Sequence, residues 1–238
     1  MSRAVIQAGW DDVPHISDEM IERMTKGMAP HTADARRKGI PSLGSGAIYP
    51  IPEEEVFIDP IQLPDYFHRA YGLDVGWKKT AAIWGAIDRD SDIIYCYSEH
   101  YRGYAEPSVH ASGIRARGAW IPGNIDYAGT NQSDGQRIME LYENEDLNLI
   151  RAEKAVEAGL LEVLQRLSTG RLKIFKTLTN TASEYRIYRR DEKGKVVKKN
   201  DHAMDALRYL VMGIEHAITK PVETTFSRPA VGDSVAGY

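Results

Sequence analysis

The stretch Tyr71–Asp88, YGLDVGWKKTAAIWGAID, constrains the fold more than any other part of the chain. Two apolar runs flank a carboxylate at Asp74 and a glycine at Gly76, which is the pattern of two adjacent strands joined by a tight turn. A carboxylate at the end of a buried strand is costly unless a charged group compensates it. A divalent metal ion is one such compensator, so Asp74 is a candidate metal ligand. The competing interpretation is an ordinary turn aspartate before Gly76.

The rest of the chain continues as alternating strands and helices. The patterns predict strands at 70–76, 80–88, 93–101, 121–128, 147–153 and 171–176, helices at 106–117, 133–146, 156–170 and 202–218, and a basic two-stranded hairpin at 183–199 that turns at Glu192–Gly194. The first three strands are expected to be antiparallel, and the later ones parallel because helices separate them. The predicted fold class is α/β, with a mixed central sheet flanked by helices on both faces and an extra basic hairpin.

Composition changes along the chain predict three segments. Residues 1–46 hold few apolar residues and form an arm and linker, with a helix at 18–26 capped by Ser17. Residues 47–219 form the main domain, and its first part, 47–70, is expected to be a solvated, acidic and proline-rich loop. Residues 220–238 show no periodicity and are predicted to be a flexible tail.

Composition also excludes several classes of protein. The chain has 238 residues and a formal net charge of −4, so a nucleic-acid surface must be local rather than a property of the whole chain. The single cysteine, Cys96, excludes an intramolecular disulfide and fits a reducing compartment. No apolar segment approaches the ~18 residues of a membrane span, and no signal-peptide core is present. We therefore expect a soluble intracellular protein that does not contact membranes.

Carboxylates stand at the ends of three predicted core elements. Asp74 ends the first strand, Asp126 ends a short later strand, and Asp205 lies in the first turns of the last helix. If these elements are neighbours, their oxygen ligands suit Mg²⁺ or Mn²⁺. Asp201 and Asp205 share a helix face at i and i+4, and His202 lies three residues before Asp205. Simpler alternatives are capping or surface roles for Asp201 and His202, and a turn role for Asp126.

A basic segment precedes the last helix. Residues 171–199 contain ten Lys or Arg against three Asp or Glu, although the chain as a whole is acidic. Such a hairpin suits a DNA backbone, whereas solvated charges that protect an edge strand are the alternative. The predicted DNA-contacting residues are Lys78, Lys79, Arg186, Arg189, Arg190, Lys193, Lys195, Lys198 and Lys199, with Tyr185 and Tyr188 on the same hairpin.

Three motifs carry a resemblance to a known family. GLDVGWKKTA at 72–81, IPGNIDYAGT at 121–130 and KKNDHAMDALRYLV at 198–211 resemble the nuclease domain of the large terminase subunit of tailed bacteriophages. The resemblance covers roughly residues 71–218. The earlier segments WDDVPHIS and KGIPSLGSGAIYPIPEEEV resemble the connection between the ATPase motor of that family and its nuclease.

This resemblance implies an RNase H-like fold and metal-dependent cutting of double-stranded DNA during genome packaging. It implies two Mg²⁺ or Mn²⁺ ions held by Asp74, Asp126 and Asp205, with His202 as a further ligand and Asp201 as an auxiliary one. It also implies the portal protein and the small terminase subunit as partners, in the host cytoplasm, with transient docking on the procapsid. The GxxxxGK[ST] phosphate loop of the family is missing from this sequence. The chain is therefore expected to cut DNA without translocating it. It is expected to be an excised part of a larger subunit, with a naturally separate protein as the alternative.

Two other functions remain open at the level of sequence. DVGWKKT at 74–80 also resembles the DxGxxxT phosphate loop of actin- and hexokinase-like ATPases, although no second DxG repeat is present. The other alternative is an RNase H-like module that binds DNA without cutting it.

Overall fold

A computed structural model of the chain describes residues 16–26, 46–126, 132–153, 155–191 and 193–221, together with Trp10 and Val13. The strands, in chain order, are β1 (Phe57–Ile58), β2 (His68–Asp74), β3 (Thr80–Asp88), β4 (Ile93–Arg102), β5 (Gly123–Ile125), β6 (Leu149–Arg151) and β7 (Leu172–Phe175). The helices are α1 (Asp18–Thr25), α2 (Glu53–Val56), α3 (Pro107–Arg115), α4 (Gln132–Glu143), α5 (Val156–Ser168), α6 (Thr179–Tyr185) and α7 (His202–Met212), followed by a 3₁₀ helix (Ile214–His216). Within these described segments, no helix is long and apolar enough to cross a membrane.

The strands form one seven-stranded sheet in the order β1-β7-β4-β3-β2-β5-β6. Neighbouring pairs among β2, β3 and β4 are antiparallel. The remaining pairs, β5 on β2, β6 on β5, β7 on β4 and β1 on β7, are all parallel. The mixed sheet predicted from the order of strands and helices is therefore confirmed.

Helices cover both faces of the sheet, as predicted. On one face α5 and α7 bury Leu160, Val163 and Leu207 in the larger apolar core. On the other face α3 and α4 bury Ile114 and Tyr142 in a second core. Because both faces are covered, eight of the nine residues of β3 are buried, which explains its nearly continuous apolar sequence.

The segment before β2 differs from the solvated loop that its prolines and glutamates predicted. Ile48, Tyr49 and Ile51 are buried in the larger core, and β1 adds a parallel edge strand to β7. The acidic cluster Glu53–Glu55 begins a one-turn helix whose last residue, Val56, is buried. The prediction was wrong because apolar residues are interspersed among the polar ones along this segment, and their side chains pack into the core.

The predicted basic hairpin is only partly present. Its first residues belong to α6, and a single antiparallel bridge joins Arg190 to Val196 around the turn. Ala182 and Tyr185 are three residues apart and both buried, an arrangement that a helix face allows and strand alternation does not. Tyr185 and Tyr188 are 1% and 3% exposed, so they are core residues and not DNA contacts.

The predicted segment boundaries stay predictions. Helix α1 is present and the hydroxyl of Ser17 accepts from the backbone N–H of Met20, as the sequence predicted for a cap. Most of the predicted arm and linker at 1–46, and most of the tail at 220–238, lie outside the described residues.

Helix α7 packs directly on the backbone of β2, and Gly72 makes this possible. A Cβ at Gly72 would collide with the backbone carbonyl of Ala206 and with the backbone N–H of Leu210. The absence of a side chain therefore sets the distance between the helix and the strand. The first turn of α7 is held beside the end of β2 as a result.

We predict that Gly72→Ala lowers the free energy of unfolding by about 2–3 kcal/mol, because a backbone contact of a packed helix has to open. Gly194→Ala is the matched control: Gly194 has a φ of 76° and open space around its Cβ position. Replacing Gly194 by alanine costs only the strain of the left-handed backbone conformation, about 1 kcal/mol. Urea denaturation measures both, and equal losses would contradict the packing argument.

Candidate metal centre

The ends of β2 and β5 bring Asp74 and Asp126 side by side. The two strands are parallel, with Leu73 paired to Ile125, so both aspartates follow the last paired residues at the same edge of the sheet. The backbone N–H of Asp126 donates to the carbonyl of Leu73 at 3.2 Å. Two carboxylates that are 52 positions apart in sequence thus become neighbours through strand pairing alone.

Helix α7 adds Asp205 to this edge. Burial raises the pKa of Asp74, a hydrogen bond from His202 opposes the rise, and the charges of Asp205 and Asp126 raise it further. The three carboxylates therefore share one electrostatic environment. We call Asp74, Asp126, Asp201 and Asp205, together with His202, the acidic edge.

The side chains of the acidic edge are now paired with cations and hydrogen-bond donors. Lys198 Nζ lies 2.7 Å from Asp205 Oδ2 and 3.1 Å from Asp201 Oδ2. The other oxygen of Asp205 accepts from Arg208 Nη2 at 3.0 Å. Arg208 is only 2% exposed, so Asp205 is the counterion of a buried guanidinium.

The two strand-end aspartates have different partners. Asp74 Oδ2 lies 2.9 Å from His202 Nδ1, and this hydrogen bond is the main cause of the raised pKa of His202. Asp126 Oδ2 accepts from the hydroxyl of Tyr209 at 3.0 Å. Burial raises the pKa of Tyr209, which keeps its hydroxyl protonated as a donor.

The chemistry of these donors fits a hard divalent cation, although they do not yet converge. Among the described residues, no group of three or more His, Cys, Asp or Glu side chains is gathered closely enough to hold a metal ion. The carboxylates instead turn towards Lys198, Arg208, His202 and Tyr209. Asp201 Oδ2 is buried, and Lys198 Nζ at 3.1 Å is its ion-pair partner. Oxygen donors with one imidazole are suited to Mg²⁺ or Mn²⁺.

Glu184 supports the acidic edge and was not identified from the sequence. Its Oε2 accepts from the backbone N–H of Ala203 at 2.6 Å and of Met204 at 3.4 Å, while its Oε1 accepts from the hydroxyl of Tyr101 at 2.5 Å. Burial raises the pKa of Glu184, and the bonds from Tyr101 and Ala203 oppose that rise. Asp201 makes no capping bond through its own side chain. Glu184 therefore caps α7 from outside the helix.

The predicted DNA-contacting residues fall into three groups. Arg186 forms a bidentate pair with Glu53 at 2.5 and 2.8 Å, and Arg190 forms one with Glu157 at 2.9 and 2.6 Å. Lys78, Lys193 and Lys195 are exposed, and Lys79 is half-buried. Two more, Arg189 and Lys199, line a surface cavity of about 370 Å³, whose lining residues are Ala47, Arg186, Ile187, Tyr188, Arg189, Val197, Lys199 and Asn200.

The strand order, the antiparallel start and the carboxylates at the ends of β2 and β5 define an RNase H-like α/β fold. The sequence family described as the terminase RNaseH-like domain matches residues 71–213, more than half of the 238 residues. The chain belongs to this family. The resemblance predicted from three short motifs is confirmed.

Individual relatives agree with this assignment. The chain is 30% identical over 246 aligned positions to the large terminase subunit of Salmonella phage P22, covering 96% of this chain and 49% of that protein, so it spans about half the length of this relative. The nuclease domain of the P22 large terminase has a TM-score of 0.70 at 28% identity, covering 74% of this chain and 96% of that one. The large terminase nuclease domain of bacteriophage SPP1 with bound manganese shares the fold, with a TM-score of 0.53 at 18% identity, covering 69% and 99%.

We predict that Glu184→Ala lowers the free energy of unfolding by about 1–3 kcal/mol, because it leaves buried donors without an acceptor. Amide hydrogen exchange at Ala203 and Met204 should accelerate selectively. Ser183→Ala is the control, since the Ser183 hydroxyl is exposed and donates only to Thr179 within α6. Unchanged exchange at both amides in Glu184→Ala would contradict the capping role.

We also predict that Asp205→Asn destabilises the fold by about 3 kcal/mol, because it removes the counterion of buried Arg208. Adding Arg208→Met to this variant should recover most of the loss, since no buried charge is then left unpaired. Chemical denaturation of the single and double variants measures the coupling. An additive result would mean that the two side chains are energetically independent.

Proposed function

We propose that this chain is a metal-dependent endonuclease that cuts double-stranded DNA during viral genome packaging, as the nuclease part of a large terminase subunit. The observation that carries the proposal is that strand pairing and the packing of α7 place Asp74, Asp126 and Asp205 at one edge of an RNase H-like sheet. Membership of the terminase RNaseH-like family and the similarity to the P22 nuclease domain support it. The SPP1 nuclease domain, whose structure contains bound manganese, supports the use of a divalent metal.

Two Mg²⁺ or Mn²⁺ ions are the proposed cofactors, with Asp74, Asp126 and Asp205 as ligands, His202 as a further ligand and Asp201 as an auxiliary one. When bound, such ions supply activation of the attacking water and charge stabilisation of the leaving oxygen. The chain itself supplies the rigid placement of these ligands. Asp74 and Asp126 are fixed by strand pairing, and Glu184 fixes the helix end that carries the other three.

Lys198 links the acidic edge to the basic surface. Its ammonium group lies between Asp201 and Asp205, while its side chain is 60% exposed. A bound divalent cation would take over its role as counterion. The released ammonium is then free to contact a DNA phosphate, together with Lys199 and Arg189 of the cavity and with Lys78 and Lys79 of the loop that follows Asp74.

Other candidate functions are less well supported. An actin- or hexokinase-like ATPase requires DVGWKKT to act as a phosphate loop, and the family match over 71–213 favours the nuclease instead. A module that binds DNA without cutting it differs from the proposal in activity alone, so a cleavage assay separates the two. Portal protein, small terminase subunit and a site of action in the host cytoplasm are proposed from the same family relationship.

We predict that Asp74→Asn abolishes Mn²⁺-dependent cutting of a supercoiled plasmid, with a loss of at least about a hundredfold in rate, while the protein stays folded. Asp90→Asn is the matched control because Asp90 is exposed in the turn between β3 and β4, at the opposite end of the sheet. Gel electrophoresis of nicked and linear products measures the rate. Normal cutting by Asp74→Asn would reject the proposed metal site. If the unchanged chain does not cut at all, the remaining candidate function is a module that binds DNA without cutting it.

We predict that Lys198→Ala raises the affinity for Mn²⁺ in the absence of DNA by about three- to tenfold, because a competing cation is removed from Asp205. Lys195→Ala, which removes an exposed lysine outside the acidic edge, should leave the affinity unchanged. Isothermal titration calorimetry with MnCl₂ measures both. A lower affinity in Lys198→Ala would show that this lysine organises the ligands and does not compete with the metal.

A further inference from the structure

Two loops beside Asp74 expose a pair of aromatic side chains. Trp77, in the β2–β3 loop, is 62% exposed, and Tyr104, just after β4, is 71% exposed. Their rings form an edge-to-face pair, with centroids 6.3 Å apart and planes at 85°. Large aromatic side chains are usually well buried. Two of them displayed together on one edge therefore indicate contact with a partner.

The pair is held on a stiff scaffold. The backbone N–H of Tyr104 donates to the carbonyl of Trp77 at 2.9 Å, which clasps the two loops together. A Cβ at Gly103 would collide with the carbonyl of Lys78, so the loops are in backbone contact there. Within the first loop, the Thr80 hydroxyl donates to the carbonyl of Gly76 at 3.1 Å. Little loop entropy is left to lose when a partner binds.

The surroundings of the pair are cationic and adjoin the acidic edge. Residues 75–79 and 102–106 carry three cations, Lys78, Lys79 and Arg102, against one carboxylate, Glu106. Lys79 Nζ lies 4.7 Å from the ring centroid of Tyr101, the residue that hydrogen-bonds the capping carboxylate of α7. In an acidic chain, this local excess of positive charge is complementary to a polyanion such as DNA.

We propose that Trp77 and Tyr104 form a stacking platform for a nucleobase of the DNA substrate beside the cut phosphate, with Lys78, Lys79 and Arg102 contacting the flanking phosphates. This inference rests on the proposed nuclease function. Every base presents a π-face, so stacking of this kind tolerates any sequence. Because bases in an intact duplex already stack on one another, the platform favours DNA with an unstacked step.

Fluorescence anisotropy with the full chain tests the platform, in Ca²⁺ buffer so that binding is measured apart from cutting. The probes are a fluorescein-labelled 24-base-pair duplex and the same duplex with a central two-base mismatch. The unchanged chain should bind the mismatched duplex more tightly. Trp77→Ala and Tyr104→Ala should each weaken binding of the mismatched duplex about tenfold, whereas Trp77→Phe retains most of it.

Salt dependence separates stacking from charge. Lys78→Ala should lower the slope of log K against log salt by about one, while Trp77→Ala should leave the slope unchanged. Tyr66→Ala is the matched control, because Tyr66 is 68% exposed and lies before the opposite end of β2. Thermal unfolding should be the same for all these surface variants.

Two results would overturn the inference, and they are distinguishable. If the unchanged chain binds the mismatched duplex and Trp77→Ala binds it equally well, the platform is wrong while the nuclease proposal stands; the aromatic pair would then be assigned to a protein partner. If the unchanged chain binds neither duplex in Ca²⁺ and cuts no plasmid in Mn²⁺, the nuclease proposal fails and the platform fails with it.

Discussion

The backbone contact between α7 and Gly72 is the constraint on which the acidic edge depends. Strand pairing alone brings Asp74 and Asp126 together, but it leaves the third carboxylate undetermined. A helix that rests on the strand without an intervening side chain has little freedom to slide or lift. The side chains of its first turn are therefore positioned by the sheet. Glu184 then restricts the remaining motion of the helix start, because it accepts hydrogen bonds from the backbone amides of the first turn.

Electrostatics explains why the acidic edge is stable as it stands. Several carboxylates at one edge repel one another: burial raises the pKa of Asp74, and the negative charges of Asp205 and Asp126 raise it further. Lys198 and Arg208 of the same chain neutralise part of this negative charge through their ion pairs with Asp205. Asp205 consequently has two roles, since it neutralises a buried arginine and belongs to the candidate metal ligands. Variants at Asp205 report on both roles at once, whereas Asp74 has no buried arginine to neutralise and is the more selective probe.

The sequence predicted the sheet well and the supports of the site poorly. β3 was predicted at its observed bounds because both ends carry clear turn residues, and the order of antiparallel and parallel strands followed from the helices between them. Tyr185, Tyr188 and the segment around Tyr49 were misassigned because basic or acidic neighbours hid their apolar spacing. Glu184 was passed over as one of three acids in a basic segment. Its role depends on a tertiary contact with α7, and no local pattern reports such a contact.

The ion pairs of Arg186 and Arg190 have a consequence for how this surface meets a polyanion. Each guanidinium is already held by a carboxylate of the same chain, Glu53 or Glu157, rather than by mobile salt ions. A phosphate that displaces such a carboxylate still loses its own condensed cation, but the displaced carboxylate attracts a cation in turn. The net release of ions is therefore smaller than for a free lysine, and these arginines contribute less to the salt dependence of binding. The carboxylates act as tethered counterions. They hold the two guanidinium groups in place, and the proposed DNA would have to outcompete a bidentate carboxylate to reach either arginine.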